Sequence, residues 1–199
     1  MTFDDYKSFM YEEYFNICRN KSVLEIGPHE GIHTKLIVQH EPRYLELVEP
    51  FRRTAEYCES IVGVNKVIKN DVFFVLNDKH PADVVICCGM LYHFHSPLHL
   101  LELIVNNCSP EYIVLDCVEN LKNIEFLIEQ EHLIANRQMV PNWRSAGFSL
   151  IVPYSIVEKA LAKMGYTNVK KHQLGADIDF KPKENFWVGL WKRNEDEAQ

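Results

Sequence analysis

Two glycines four positions apart, with Glu25 and Glu30 close by, mark where this chain can do chemistry. In Val23-Leu24-Glu25-Ile26-Gly27-Pro28-His29-Glu30-Gly31-Ile32-His33-Thr34 an apolar run stops at Gly27, and helical spacing restarts after Gly31. That pattern predicts a strand, a tight loop and the start of a helix. Gly27 can turn sharply and let the backbone approach a ligand, while Gly31 can keep the loop close to the helix. A second apolar run, Tyr44-Leu45-Glu46-Leu47-Val48-Glu49, ends in an acid about two dozen residues after Glu25. The interval holds one crossover helix, so the two runs form a βαβ unit of the kind that builds nucleotide pockets. A carboxylate at the tip of the second strand can accept both hydroxyls of a ribose. The ligand expected from these residues contains a nucleoside.

A second chemical segment is Gly89-Met90-Leu91-Tyr92-His93-Phe94-His95-Ser96-Pro97. Histidine titrates near neutrality and is suited to taking a proton from a reacting group. His93 is the first candidate and His95 the second, with Tyr92 beside them; the plain alternative for either histidine is a helix cap or a packed ring. His93, His95 and His99, with His29 and His33, also invite a metal reading. A loop His-x-His needs a third ligand and supporting partners, no acid falls at a fitting spacing, and no metal is expected.

The elements that must carry these residues follow from periodicity. Aromatics at helical spacing (Tyr6, Phe9, Met10, Tyr14, Ile17) predict a leading helix over 3–19. Helices are further predicted over 51–61, 97–105, 121–131 and 154–164, with Ser96 and Pro97 opening the second of these and Gly165 closing the last. Beyond the first two, strands are predicted over 64–69, 82–88, 112–117, 167–172 and 185–191. The continuous apolar run of 82–88 reads as a buried strand. The last two are expected to pair antiparallel at a sheet edge. In an open α/β sheet ligands bind beyond the carboxyl ends of the strands, so Gly27, Glu49, Asp71 and residues 88–90 should meet in one crevice. Asn70-Asp71 can equally cap a helix, and one residue can do both.

The segment Glu25-Ile26-Gly27-Pro28-His29-Glu30-Gly31, followed by Glu49, resembles motifs I and II of the class I S-adenosylmethionine-dependent methyltransferases. Dinucleotide dehydrogenases need further glycines that this loop lacks. The resemblance implies a Rossmann-like α/β fold with a seven-stranded, mostly parallel sheet in the order 3-2-1-4-5-7-6 and helices on both faces. It implies S-adenosyl-L-methionine as cofactor, held by Glu25, Gly27, Gly31, Glu49, Asp71, Val72, Cys88 and Gly89. Glu49 would take the ribose, Asp71 and Val72 the adenine, and Glu25 would lie near the methionine amine or a structural water. Tyr92, His93 and His95 then sit where a methyl acceptor approaches. The Leu-Tyr-His loop and the later Val152-Pro153-Tyr154-Ser155 are also similar to a subgroup that modifies the wobble uridine of transfer RNA with a carboxymethyl-type donor, although no basic surface supports carrying that substrate over.

Composition sets the remaining expectations. With 199 residues, no linker and no repeat, the chain is expected to form one domain over 1–199, with an N-terminal helical segment in 1–20 and a substrate-facing insertion at 118–153. In that insertion Arg137 and Arg144 can pair with a carboxylate or phosphate, and Trp143 can wall a pocket. A net charge of −7 disfavours a phosphate-dominated partner, and Lys170-Lys171-His172 and Arg52-Arg53 read as solvated faces. Six cysteines without a C-x-x-C pair predict reduced core thiols in a cytoplasmic protein. No apolar run is long enough to span a membrane. The leading function is methyl transfer to a small, anionic acceptor. An RNA or protein methyltransferase is the alternative, and a cofactor-binding protein without transferase activity is a third.

Overall fold

Alternate residues of the central strands face two different apolar layers, and that alternation organises the molecule. The computed structural model describes residues 11–94, 96–118, 152–174 and 186–195. Residues 11–15 are helical (α1) and run into a tight turn at Asn16–Cys18. There follow β1 (Ser22–Ile26), α2 (Ile32–Gln39), β2 (Tyr44–Val48), α3 (Arg52–Glu59), β3 (Lys66–Ile68) and the single-turn α4 (Val72–Val75). Next come β4 (Val84–Cys87), a tight turn at Leu91–His93, α5 (Pro97–Leu103) and β5 (Tyr112–Val118). The described chain closes with α6 (Tyr154–Lys163), β6 (Tyr166–Leu174) and β7 (Phe186–Arg193).

Among the described residues seven strands form one sheet in the order β3-β2-β1-β4-β5-β7-β6, the predicted order. β1 to β5 pair in parallel, and β7 lies antiparallel between β5 and β6. Val23 stands opposite both Leu45 and Val84, so the carboxyl ends of β1, β2 and β4 open on the same edge. Leu24, Ile26, Val85, Cys87, Leu115 and Cys117 face a layer built with α4, α5 and α6. Val23, Leu45, Leu47, Ile86 and Val114 face the opposite layer, built with α1, α2 and α3. All six cysteines are buried thiols outside any disulfide, as the apolar runs around them led one to expect.

Local boundaries differ from the predicted ones where tertiary contacts decide. Ser96 stands at the start of α5 without a side-chain capping bond, and only its carbonyl is used, by the Leu100 amide at 3.1 Å. The α5 turn then widens into a π-helical stretch at Ile104–Cys108, ending at a left-handed Ser109. β6 and β7 are longer than their apolar cores because pairing continues through polar residues such as Lys170 and Lys171. The predicted helix over 121–131 and the first eight positions of the predicted helix over 3–19 lie outside the described residues. Among the described residues no helix is long and apolar enough to cross a membrane.

One glycine is demanded by packing alone. Trp187, Gly189 and Trp191 share a face of β7, and Tyr154 of α6 closes on both indoles at ring separations of 5.3 and 5.8 Å. A Cβ on Gly189 would lie 2.4 Å from the Trp191 ring, which is fully buried and cannot swing away. Gly189→Ala is therefore expected to cost about 3 kcal/mol through overpacking. Urea unfolding monitored by tryptophan fluorescence checks it, and a midpoint equal to wild type would show that the indole has room.

Candidate functional site

At the end of β1 the chain turns through residues that only glycine tolerates easily. Gly27 and Gly31 both have φ of +69°. The Gly27 amide donates to the Val48 carbonyl at 2.9 Å, extending the β1–β2 ladder one step, and the Gly31 amide donates to the Pro28 carbonyl at 2.8 Å to close the turn. A Cβ on Gly27 would sit 2.3 Å from the Met90 sulfur, and one on Gly31 would sit 2.5 Å from Ile61 Cδ1. The loop after β1 thus touches the turn after β4 on one side and the α3 end on the other.

Between the glycines His29 is also left-handed, with φ of +50°, a conformation that costs a non-glycine residue free energy. Its amide donates to Glu49 Oε2 at 3.1 Å, while the Phe51 amide donates to Glu49 Oε1 at 3.0 Å. Glu49, 2 % exposed, therefore ties the first loop to the entry of α3. Burial raises its pKa, and the Phe51 and His29 amides oppose the rise. Glu25 is equally hidden at 2 % exposure. It accepts a hydrogen bond from Thr34 Oγ1 at 2.7 Å, from the first turn of α2. Burial pushes Glu25 up to about 8; the Thr34 bond pulls the other way, and the charge of Glu49 adds to the rise. Two acids desolvated at one strand edge favour a cationic ligand.

The remaining predicted positions are met in chain order. Asp71 caps α4 by accepting from the Phe73 amide at 2.8 Å, so its Oδ1 is committed to the helix and Val72 is buried in the layer beneath. Cys88 faces the α1 layer. Gly89 has φ of +69°, and among the described residues only the Tyr92 hydroxyl, at 3.8 Å, lies within 4 Å of a Cβ built on it. That position is open ground with Tyr92 at its rim. The His93 ring rests on the Tyr92 ring at 4.3 Å, and its amide donates to the Met90 carbonyl at 2.9 Å. His95, Arg137, Trp143 and Arg144 lie outside the described residues. Among the described residues no group of three His, Cys, Asp or Glu side chains is placed to hold a metal ion.

The sequence reading passed over Asp116 and Tyr11. Asp116, 1 % exposed on β5, accepts from the Gly89 amide with Oδ1 and from the Tyr11 hydroxyl with Oδ2. The signal was present, because an acid within the apolar run 112–117 has to be paired somewhere. What its partners are depends on contacts 27 and 105 positions away in the chain, which no local pattern reports.

Comparison with known proteins completes the description. A family model described as a methyltransferase domain matches residues 8–171. No curated protein matches the chain in sequence. Among solved structures, magnesium protoporphyrin IX methyltransferase from Synechocystis PCC 6803 with bound S-adenosylhomocysteine is 10 % identical, with a TM-score of 0.69 over 95 % of this chain and 82 % of that one. The N-methyltransferase NodS from Bradyrhizobium japonicum WM9, in complex with the same product, is 11 % identical, with a TM-score of 0.67 over 98 % and 89 %. The small RNA methyltransferase HEN1 is 12 % identical, with a TM-score of 0.63 over 96 % of this chain and 25 % of that one. With the model covering most of the sequence and the strand order in agreement, the chain belongs to the methyltransferase-domain family, within the class I S-adenosylmethionine-dependent methyltransferases.

Proposed function

We propose that the chain transfers a methyl group from S-adenosylmethionine to a small acceptor carrying a carboxylate or phosphate. The observation that carries this reading is the open ground at Gly89, rimmed by the Tyr92 hydroxyl and joined to the first loop by the Met90–Gly27 contact. It lies beside the carboxyl ends of β1 and β4, where the crevice is expected. The residues present fit the cofactor: Gly27 and Gly31 leave the backbone bare, and Glu25 and Glu49 set two carboxyl groups in a desolvated edge, where a cationic ligand would favour their charged forms. Glu49 would hold the ribose, Asp71 Oδ2 and the Val72 backbone the adenine, and Glu25, Cys88 and Gly89 the methionine end. When bound, the cofactor supplies a methyl group made electrophilic by a positive sulfur.

The chain's own share of the work is alignment, the term that makes a direct displacement fast. Tyr92 and His93 border the acceptor side, and His93 would accept the proton of a hydroxyl acceptor during transfer, or that of an ammonium acceptor beforehand, since the ammonium nitrogen has no lone pair until the proton has left. Arg137 and Arg144 pair with the acceptor's anionic group, and Trp143 covers it. An acidic chain with a net charge of −7 supports a small acceptor over a nucleic acid.

Transfer of labelled methyl from S-adenosylmethionine to a panel of small carboxylates and phosphates, with transfer RNA and peptide pools beside it, tests the reading. Labelling of a small acid, slowed about 100-fold in His93→Ala with S-adenosylhomocysteine affinity unchanged, is the expected result. Labelling of RNA or peptide alone would overturn the acceptor class. Binding of the cofactor with no product from any pool would favour a protein that binds it without transfer.

A further inference from the structure

We infer that Asp116 is a positioning residue of the methyl-transfer site: its carboxylate holds the Gly89 amide with one oxygen and the Tyr11 hydroxyl with the other, so that α1 sets the turn after β4. The inference rests on the cofactor reading above and adds a residue to it.

The position itself is unusual for an acid. β5 reads Tyr-Ile-Val-Leu-Asp-Cys-Val, and Ile113, Val114, Leu115 and Cys117 around Asp116 are all fully buried. A valine here would complete an apolar strand, whereas a carboxylate is costly to desolvate and is retained only with strong partners. Of these two partners Gly89 stands at the crevice, while Tyr11 comes from α1 in the buried layer beneath it. Gly89 is the left-handed residue at the open ground, and its N–H is the donor aimed at Asp116 Oδ1. The Tyr11 hydroxyl is the donor at Oδ2, and burial beside Asp116 drives the phenol far above its ordinary range, which keeps it a neutral donor.

The link does more than fasten α1 to the sheet, because α1 and the residues beside it are fastened elsewhere. Tyr14 shares a hydrogen bond with His172 Nδ1 at 2.9 Å and donates to the Val188 carbonyl at 3.4 Å, and Glu13 pairs with Lys170. With those contacts holding the helix, the Asp116 bridge is left to decide where Gly89 stands relative to it. The chain of contacts continues from Tyr11 to the other wall. Its ring lies 4.4 Å from that of His33, which follows Gly31 in α2. Tyr11 and Asp116 therefore join the first loop, α1 and the turn after β4, the three elements that would surround the methionine end of the cofactor. A shift of any one is carried to the others through a buried carboxylate that has no water to substitute.

The test uses the full chain, calorimetry with S-adenosylhomocysteine well below the melting temperature, and 1H–15N spectra. In wild type the Gly89 amide should resonate far downfield, as an amide bonded to a carboxylate does. Tyr11→Phe removes one oxygen atom and should both move the Gly89 resonance and weaken S-adenosylhomocysteine binding on the order of tenfold. Asp116→Asn should move Gly89 further upfield. The Asp116→Asn/Tyr11→Phe pair should bind no worse than the poorer single variant, as expected of residues acting as one unit. Variants that melt lower yet keep the Gly89 resonance and bind within about twofold of wild type would overturn the inference and leave Asp116 a core acid. If Asp116→Asn does not fold, Tyr11→Phe decides alone. If wild type fails to bind S-adenosylhomocysteine, the cofactor reading falls, while the Gly89 resonance in Tyr11→Phe still decides whether α1 sets the turn.

Discussion

Glu49→Ala is expected to weaken S-adenosylmethionine and S-adenosylhomocysteine binding about 100-fold, the sum of two lost charge-assisted hydrogen bonds at 1.5–3 kcal/mol each, reduced for partial replacement by water. The carboxylate has room for both duties. Its two oxygens offer about four acceptor directions, of which the His29 and Phe51 amides use two and the Thr54 side chain approaches another. A ribose hydroxyl would take what is left, or displace Thr54 to its other acceptor, the Phe51 carbonyl. The loss has a second component, since His29 keeps its left-handed backbone partly because its amide reaches Glu49. Without that acceptor the first loop relaxes and Gly27 no longer presents a bare backbone at a fixed place. Glu49→Gln separates the two components: its single oxygen can keep one amide, while its NH2 group meets the other donor head-on. Calorimetry with both ligands checks the prediction, with a melting curve to show that each variant is folded. Undiminished affinity in folded Glu49→Ala would remove the ribose assignment.

A stability that declines as pH rises from about 4.5 to about 8 is the second large expectation, and it comes from Glu25. Burial pushes its carboxyl up to about 8 in the folded chain, against an ordinary value of 4.5. Between those values the native protein keeps a proton that the unfolded chain has released. The native state then binds more protons than the unfolded state, so stability falls with rising pH, at no more than about 1.4 kcal/mol per unit. Glu49, also raised, acts in the same direction. Asp83 and Glu111 behave oppositely. Despite partial burial, Asp83 is lowered by the Ser22 bonds and Glu111 by Lys21, so their contributions are lost only as pH falls below the ordinary carboxylate range. Urea unfolding at half-unit steps of pH checks the slope. Glu25→Gln keeps the Thr34 bond and should flatten the profile and gain stability at pH 8; an unchanged slope would mean that Glu25 is ionised throughout. The same proton should appear on binding. If the cationic cofactor draws Glu25 into its charged form, calorimetry in buffers of different ionisation enthalpy will register proton release near neutrality, and Glu25→Gln will abolish it.

How much of the site was legible depended on whether its partners are neighbours in sequence. Gly27, Gly31 and Glu49 declared themselves because a strand, a turn and a helix within one βαβ unit impose their residues locally. Asp71 was legible as a cap for the same reason, its partner being two positions on. Ser96 takes the N-cap position of α5 as expected, but its side chain makes no capping bond and its carbonyl alone serves the helix. Tyr11, Thr34 and Met90 were visible only as an aromatic, a helix residue and an apolar loop residue. Tyr11 and Met90 meet Asp116 and Gly27 from elements distant in the chain, whereas Thr34 meets Glu25 from the helix that follows its strand, a pairing that depends on how that helix packs back on the sheet.

By itself the sequence carried the glycine loop, the acids and the apolar runs whose resemblance to the class I methyltransferases implied the strand order that the structure has. Apolar period and crossover length mark the separate strands and the first parallel pair. Only the tertiary structure decided which acid meets which donor. Glu25, Glu49 and Asp116 are alike in sequence as acids at the ends of apolar strands, yet one is paired to a hydroxyl, one to two amides of nearby turns, and one to a tyrosine and a glycine from distant elements. Desolvation forces each buried carboxylate to find a partner, but it does not say which. That choice is made by the packing of the helices over the sheet.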